Sequence, residues 1–399
     1  MKTLKSNFKC KYKIYMVNFF DASPTLGYTT STSTTPMPST TSSPSQSLPT
    51  APQARLKRFI RQPDRLAGRQ LTPKGLEVMA AIERYRFLPS SLLVRLVEGG
   101  QRNTHRHLQT LFHKGFINRF ALPKYGGPGE FIYFYDSPQA LSLLISEGLL
   151  PDLSEDDRKK REAIIRLNRD ANYAKLHTDP DSQGKVLYIQ HELMISRFHY
   201  LIELGAKRLG NIELVKWKQG TELWGKVEAP ALRDGQETAG GLQTIPHRPD
   251  AFFVLRLKDR PEDGQLVSFM YEADRRTENT TRFKMKLRGH YHFVVKRQLQ
   301  RLAPYNVHSI RAVLTETTTT PWAHNLLHAA KDPLVSPRPS PLFWMTTSEL
   351  VTGWPKNKTP QLAPNGQPMP RYLVEPELIY DSLWASPTSD KLKSLSDLD

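Results

Sequence analysis

The sequence is poor in cysteine and in long apolar runs, and each shortage excludes a class of protein. Its single cysteine, Cys10, rules out an internal disulfide framework and a zinc site built from several cysteines. No apolar run approaches the roughly 20 residues that a membrane helix needs. Lysines interrupt the apolar stretches near the N-terminus, so a secretory signal is not expected. We therefore expect a cytoplasmic protein that does not enter a membrane.

Acidic residues are also scarce relative to basic ones. The 399 residues include 56 Lys and Arg against 39 Asp and Glu, which gives a formal net charge of +17. An excess of this size favours nucleic acid or an anionic membrane surface as a partner. The glycine-rich stretches "GGPG" and "AGG" lack the spacing of a phosphate-binding loop, so no nucleotide cofactor is expected.

Composition and periodicity divide the chain into five regions. Residues 1–70 are rich in Ser, Thr and Pro and then basic, and we expect them to be disordered. Residues 71–137 predict a small DNA-binding domain, and residues 138–183 a helical connector. Residues 184–350 predict a second domain, and residues 351–399 a largely irregular tail.

The pattern of residues 71–137 is typical of a winged helix-turn-helix. Three helical segments precede two short β-branched and aromatic runs on either side of a Gly/Pro turn. In such a unit the third helix, predicted at 101–117, enters the major groove. No acidic residue occurs between Glu98 and Glu130. This one-signed charge favours contact with duplex DNA, and a winged helix used for protein contacts is the alternative. The candidate DNA-binding residues are Arg102, His105, Arg106, His107, Lys114, Arg119 and Lys124.

Residues 184–350 predict the order helix, strand, strand, strand, helix, strand. The second and third strands are joined by "KDRPEDGQ", whose Pro and Asp-Gly indicate an antiparallel hairpin. Asp250 lies near the start of one strand, and Glu272 and Asp274 share a face of the next. If the strand ends meet, three carboxylates cluster there. Either a divalent cation or nearby Lys and Arg side chains then relieves their repulsion.

These residues resemble a known active-site skeleton. Pro249-Asp250, followed by an apolar strand and an acidic strand end, resembles the PD-(D/E)XK nuclease-like proteins. The winged helix together with "RPDAFFVL", "YEADRRTE" and "KLRGHY" is similar to the replication-relaxation family of plasmids and other mobile elements. The resemblance covers residues 71 to about 350. It implies an α/β (α+β) fold with an N-terminal winged helix-turn-helix followed by a restriction-endonuclease-like mixed β-sheet flanked by helices.

The resemblance also implies a site for cleavage with Mg²⁺. Asp250 matches the Asp of the pattern and Glu272 its second acid, but Asp274 stands where the pattern has lysine. Lys286 borders the sheet-facing side of the following helix and is the candidate for a migrated lysine, ahead of Lys284. The candidate catalytic residues are Asp250, Glu272, Asp274 and Lys286, with Asp250, Glu272 and Asp274 as the candidate metal ligands.

Other histidines give weaker indications. His290 and His292 form a close pair without cysteines, which is typical of surface or groove residues rather than of a zinc site. On the helix at 186–207, His191 and Glu192 either add a ligand to the acidic cluster or only decorate the helix surface.

The implied function is DNA binding that is accessory to replication, relaxation or mobilisation of a plasmid or other mobile element. The implied partners are double-stranded DNA and replication or relaxase proteins. The alternatives are an Mg²⁺-dependent nuclease or nickase and a winged-helix transcriptional regulator. A nuclease needs the three acids to converge with Lys286 in reach, whereas a scaffold would pin them to arginines. A regulator would bind an operator without any effect of metal.

Overall fold

A computed structural model describes most of the chain from Arg58 to Ser396. The described residues are 58–66, 68–121, 130–171, 173, 183–233, 236–276, 278–296, 309–354, 359–362 and 368–396. They belong to one compact unit, and the predicted domain boundaries stay predictions. None of the described helices is long and apolar enough to cross a membrane.

The N-terminal part contains three helices and a small antiparallel sheet in the order β1-β3-β2. Thr72 caps the first helix because its hydroxyl accepts a hydrogen bond from the Gly75 backbone at 3.2 Å. Gly99 and Gly100 adopt positive φ angles of 117° and 80° and separate the second helix from the third. The elements are α1 Pro73–Tyr85, β1 Phe87–Pro89, α2 Ser90–Leu96, α3 Gln101–His113, β2 Ile117–Ala121 and β3 Phe131–Tyr135.

Three helices connect this part to the large sheet: α4 Pro138–Ser146, α5 Glu155–Asp170 and α6 Gln183–Leu209. Ser154 caps α5, and the first turn of this helix carries three acidic residues. Their negative charges lie at the positive end of the helix dipole, which is a stabilising arrangement. The third of these helices is 27 residues long and packs along one face of the large sheet.

The large sheet has seven strands in the order β12-β11-β10-β9-β8-β7-β4. Pairing is parallel between β8 and β9 and between β9 and β10, and antiparallel elsewhere. Its strands are β4 Ile212–Gln219, β7 Ala251–Leu257, β8 Leu266–Asp274, β9 Ala312–Thr317, β10 Phe343–Thr347, β11 Trp384–Ser386 and β12 Ser389–Lys393. The chain is therefore a mixed α/β protein.

The predicted order of elements is confirmed as α6, β4, β7, β8, α7 and β9, where α7 is Thr280–Val295. A two-stranded hairpin that the sequence did not predict, β5 Gly225–Arg233 and β6 Gln236–His247, is inserted between β4 and β7. Two further helices, α8 Thr320–Ala329 and α9 Ser348–Thr352, follow β9 and β10.

The two faces of the sheet are covered by different helices, because successive side chains of a strand alternate between faces. On one face the Phe198 ring of α6 stacks on Tyr271 of β8, with ring centroids 3.9 Å apart. On the other face Phe283 and Leu287 of α7 pack with Met270 in a second core. Even-numbered residues of β8, including Glu272, therefore point toward α7.

The C-terminal tail differs from the prediction of a largely irregular segment. Among its described residues, β11 and β12 extend the large sheet. A short 3-10 helix, Pro376–Tyr380, packs on α6, where the Tyr380 hydroxyl donates to the Ile202 carbonyl at 2.8 Å. The prediction missed these elements because three-residue and five-residue strands leave too short a pattern to detect.

Candidate functional site

Asp250 lies at the end of the sheet, immediately before β7. The backbone N–H of Ala273 donates to its Oδ2 at 2.9 Å, so the neighbouring strand β8 fixes the carboxylate. His191 Nε2 of α6 is 3.2 Å from the same oxygen, and Lys286 Nζ of α7 is 4.0 Å away. Two cation-forming side chains from opposite faces of the sheet therefore meet at one carboxylate oxygen.

Glu272 of β8 is the second acid of this cluster and is only 1% exposed. His290 Nε2 of α7 lies 2.7 Å from its Oε1, and Lys286 Nζ contacts its Oε2. Lys286 and His290 are four residues apart and so share one side of the helix. Lys286 thereby joins both acids, as predicted from helical spacing, whereas Lys284 pairs with Asp332.

The pKa values of the Asp250, Lys286 and His191 side chains are shifted by their charged neighbours. Burial alone would lower the pKa of His191, but Asp250 and Glu192 raise it to about 10. Burial would likewise lower the pKa of Lys286, yet Glu272 and Asp250 raise it above its ordinary value. Burial opposes ionisation of Asp250, but Lys286 and His191 hold its pKa well below the usual range. Near neutral pH Asp250 is therefore ionised and His191 and Lys286 are protonated, whereas burial raises the pKa of Glu272 against the opposing effect of Lys286.

A buried histidine pair extends the cluster away from the sheet. His290 contacts the Glu272 carboxyl group through Nε2. The other ring nitrogen of His290, Nδ1, lies 3.0 Å from His247 Nε2, and Phe293 stacks on the His247 ring. The sequence interpretation of His290 as a surface residue was wrong, because its position on α7 turns it into the core, where it is fully buried.

Asp274 does not join the other two acids. Its Oδ2 accepts hydrogen bonds from the Thr317 hydroxyl at 2.7 Å and from Trp322 Nε1 at 2.6 Å, and its Oδ1 accepts from the Arg276 backbone. Within the described ranges no group of three or more His, Cys, Asp or Glu side chains is placed to hold a metal ion. The expected three-carboxylate ligand set is therefore not assembled in this arrangement.

The structure gives His191 and Glu192 different surroundings. His191 contacts Asp250, as described above, whereas Glu192 Oε2 lies 4.0 Å from Arg86 Nη1. Arg86 also donates from Nη2 to the Gln219 carbonyl at 2.8 Å, and the next residue, Gly220, donates its N–H to the Asp250 carbonyl at 3.1 Å. A short series of contacts thus links the end of α1 to Asp250.

A second group of predicted residues lies on α3. Arg102, His105 and Arg106 are exposed, while Leu108 and Leu111 on the opposite side of the helix are buried. This amphipathic division presents the basic side chains to solvent.

Two further basic residues border this surface. His107 is half-buried, and its Nδ1 lies 3.5 Å from the Thr72 hydroxyl. Burial and the neighbouring Arg106 lower its pKa, which favours the neutral form of His107. Lys114, just after α3, is also half-buried.

Arg119 does not belong to the exposed basic surface. It is 8% exposed, and its guanidinium donates to the Arg58 carbonyl at 2.7 and 2.9 Å. The same group lies 4.1 Å from the Phe112 ring centroid and 4.8 Å from that of Phe131. These contacts turn the charge inward and make Arg119 a structural residue. Lys124 lies outside the described residues.

Comparison with models of known protein families gives a match. A family model described as replication-relaxation matches residues 79–304, which is more than half of the chain. The matched range includes α3, Asp250, Glu272 and Lys286. Searches of curated proteins and of solved structures found no match.

Proposed function

Because the chain belongs to the replication-relaxation family, we propose that it binds double-stranded DNA during replication, relaxation or mobilisation of a plasmid or other mobile element. The N-terminal part, from α1 to β3, acts as a winged helix in this proposal. Its support is the element order α1, β1, α2, α3, β2, β3, with two strands following the third helix. In such units the third helix lies in the major groove.

The exposed basic side of α3 carries this proposal. Arg102, His105 and Arg106 project from the helix that a winged helix inserts into DNA, and Gly99 and Gly100 make the turn before it. Arginines in the groove contact phosphates or guanine edges, and each phosphate contact releases counterions. Binding should therefore weaken steeply with salt.

The test is fluorescence anisotropy with the full chain and a labelled duplex over a series of salt concentrations. For the Arg102→Ala/Arg106→Ala variant we expect weaker binding and a salt slope smaller by about 2, since about one counterion is released per phosphate contact. Arg166→Ala/Arg169→Ala is the matched control, because it removes the same charge from exposed positions of α5. An equal loss in both variants would mean that general charge, and not α3, drives binding.

The convergence of Asp250, Glu272 and Lys286 favours a second candidate function, cleavage of DNA. A divalent cation would supply an activated water and stabilise the leaving oxygen. The two acids as arranged are held by Lys286, His191 and His290, and they do not form a metal site without displacing these partners.

Incubation of supercoiled plasmid with the protein and Mg²⁺ or Mn²⁺ tests the second candidate. Nicking that is lost in both Asp250→Asn and Glu272→Gln, while duplex binding persists, would establish cleavage. Binding of duplex without nicking would leave the two acids as a structural network. A transcriptional regulator would instead bind one short operator sequence and leave the topology of the plasmid unchanged.

A further inference from the structure

The hairpin β5–β6 presents a small basic and aromatic surface next to Asp250. Trp224, immediately before β5, is 49% exposed although it is the largest type of apolar side chain. The guanidinium carbon of Arg248 lies 5.1 Å from the centre of its ring. Arg248 is itself exposed and stands two residues before Asp250. The exposed indole ring and the arginine beside it offer a flat aromatic face and a positive charge to a ligand.

Strand alternation explains why this surface faces away from the core. Val227, Ala229 and Ile245 point inward and belong to the core that includes α7. Lys226 points outward from β5 beside its cross-strand partner Pro246. Trp224, Lys226 and Arg248 therefore lie on one side of the hairpin, which we call the hairpin cleft.

The hairpin cleft has a volume of about 320 Å³ and is lined by two cations but by no carboxylate. Its lining residues are Trp224, Gly225, Lys226, Thr244, Pro246 and Arg248. The cleft is thus suited to a ligand that combines a flat ring with negative charge. DNA supplies both groups, but in a duplex the base faces are covered by their neighbours, so only an unpaired base can stack on Trp224.

We propose that the hairpin cleft binds single-stranded DNA, with an unpaired base stacked on Trp224 and the adjacent phosphates held by Arg248 and Lys226. This inference rests on the proposed function, because it adds a single-stranded contact to the duplex contact of α3. The cleft is tied to the carboxylate cluster at both ends. Arg248 is two residues from Asp250, and Trp224 follows the 3-10 turn whose Gly220 N–H donates to the Asp250 carbonyl. The bound strand would accordingly pass beside Asp250.

Anisotropy with labelled single-stranded and duplex oligonucleotides, measured on the full chain, tests the inference. Stacking of one base on an aromatic side chain corresponds to an affinity loss of about 5- to 150-fold when the ring is removed. We expect a loss in this range for Trp224→Ala with single-stranded DNA, a smaller loss for Trp224→Phe, and no change with duplex. Leu242→Ala is the control, because Leu242 is 64% exposed on the same hairpin but does not line the cleft.

The outcomes separate this inference from the proposed function. If Trp224→Ala binds single-stranded DNA as tightly as the unaltered protein, the hairpin cleft is not a DNA contact, whatever α3 does. If Trp224→Ala and Leu242→Ala weaken binding equally, the effect does not belong to the cleft and the inference is again wrong. If duplex binding requires Arg102 and Arg106 while single-stranded binding requires Trp224, both proposals stand. If the protein binds neither single-stranded nor duplex DNA, both proposals are overturned.

Discussion

Replacement of Lys286 by methionine tests the buried charge arrangement around Asp250 and Glu272. Methionine keeps the length and most of the apolar contacts of lysine but removes the cation between Asp250 and Glu272. Loss of one partner from a buried ion pair costs about 3–5 kcal/mol, because the other charge stays buried without compensation. The Lys286 side chain is 26% exposed and that of Glu272 is 2% exposed. Water reaches one side of this pair, so we expect a cost near the lower end, about 3 kcal/mol.

Urea denaturation of the full chain measures this cost, and Lys284→Met is its matched control. Lys284 lies on the same helix and also pairs with an acid, but the side chains of that pair are 27% and 29% exposed. A partly solvated pair contributes about 1 kcal/mol or less. The difference between the two stability costs therefore measures the effect of burying the partner acid, because both variants lose a lysine from α7. Equal costs for the two variants would refute the reasoning.

The pH dependence of the Lys286→Met variant gives an independent check. Burial raises the pKa of Glu272 even with Lys286 beside it, and removal of the cation raises it further. The folded variant then holds a proton that the unfolded chain releases above about pH 4.3, so its stability falls as pH rises. The deficit should be smaller at low pH than at neutral pH. The added change Glu272→Gln should restore at least half of the lost stability at neutral pH. A deficit that is independent of pH would contradict this account.

Three further changes test other parts of the structure. His191→Gln removes an imidazole whose pKa is about 10 beside Asp250. The stabilisation by this imidazole is complete below about pH 6.5 and is lost as pH rises to about 10. In urea titrations between these two pH values, the free energy of unfolding should fall by about 1.4 kcal/mol per pH unit in the unaltered protein but not in the variant. Arg119→Ala should lower the free energy of unfolding by about 2 kcal/mol, since the buried guanidinium donates hydrogen bonds to a backbone carbonyl. The affinity for duplex DNA should stay unchanged. A large loss of affinity without loss of stability would contradict the structural role of Arg119. Gly220→Ala should lower the melting temperature, because Gly220 has a φ of 72° and an added Cβ would overlap the Arg86 guanidinium; an unchanged melting temperature would show that this turn relaxes freely.

The periodicity of apolar residues predicted the longer elements, whose apolar faces extend over several helical turns or several strand residues. Helix α6 and strands β7 and β8 were found because each buries a regular apolar face. The hairpin β5–β6 was missed for the opposite reason. Its inward side is small, with Val227, Ala229 and Ile245 in the core, and glycines and prolines interrupt the rest. A two-stranded insertion of this kind is stabilised by its contact with α7, which no local pattern records.

The candidate site was predicted in part. Strand alternation and helical spacing brought Asp250, Glu272 and Lys286 together correctly. The same rules placed Asp274 on the right face, but they could not show that the neighbouring strand β9 and helix α8 supply hydrogen-bond donors to it. Charge alone likewise did not show that Arg119 turns inward between two rings. The direction of a polar side chain depends on partners that are distant in sequence.

The position of β11 and β12 at one edge of the large sheet has a consequence for aggregation. Strand β10 is fully buried, and its outer edge pairs with β11, a short strand that follows it in the chain. Until β11 arrives, β10 is an apolar edge strand with unpaired backbone groups, which is a template for association with other chains. Proteolytic loss of the segment from Trp384 onward would recreate that edge in a folded molecule. We therefore expect such a truncated protein to be prone to aggregation.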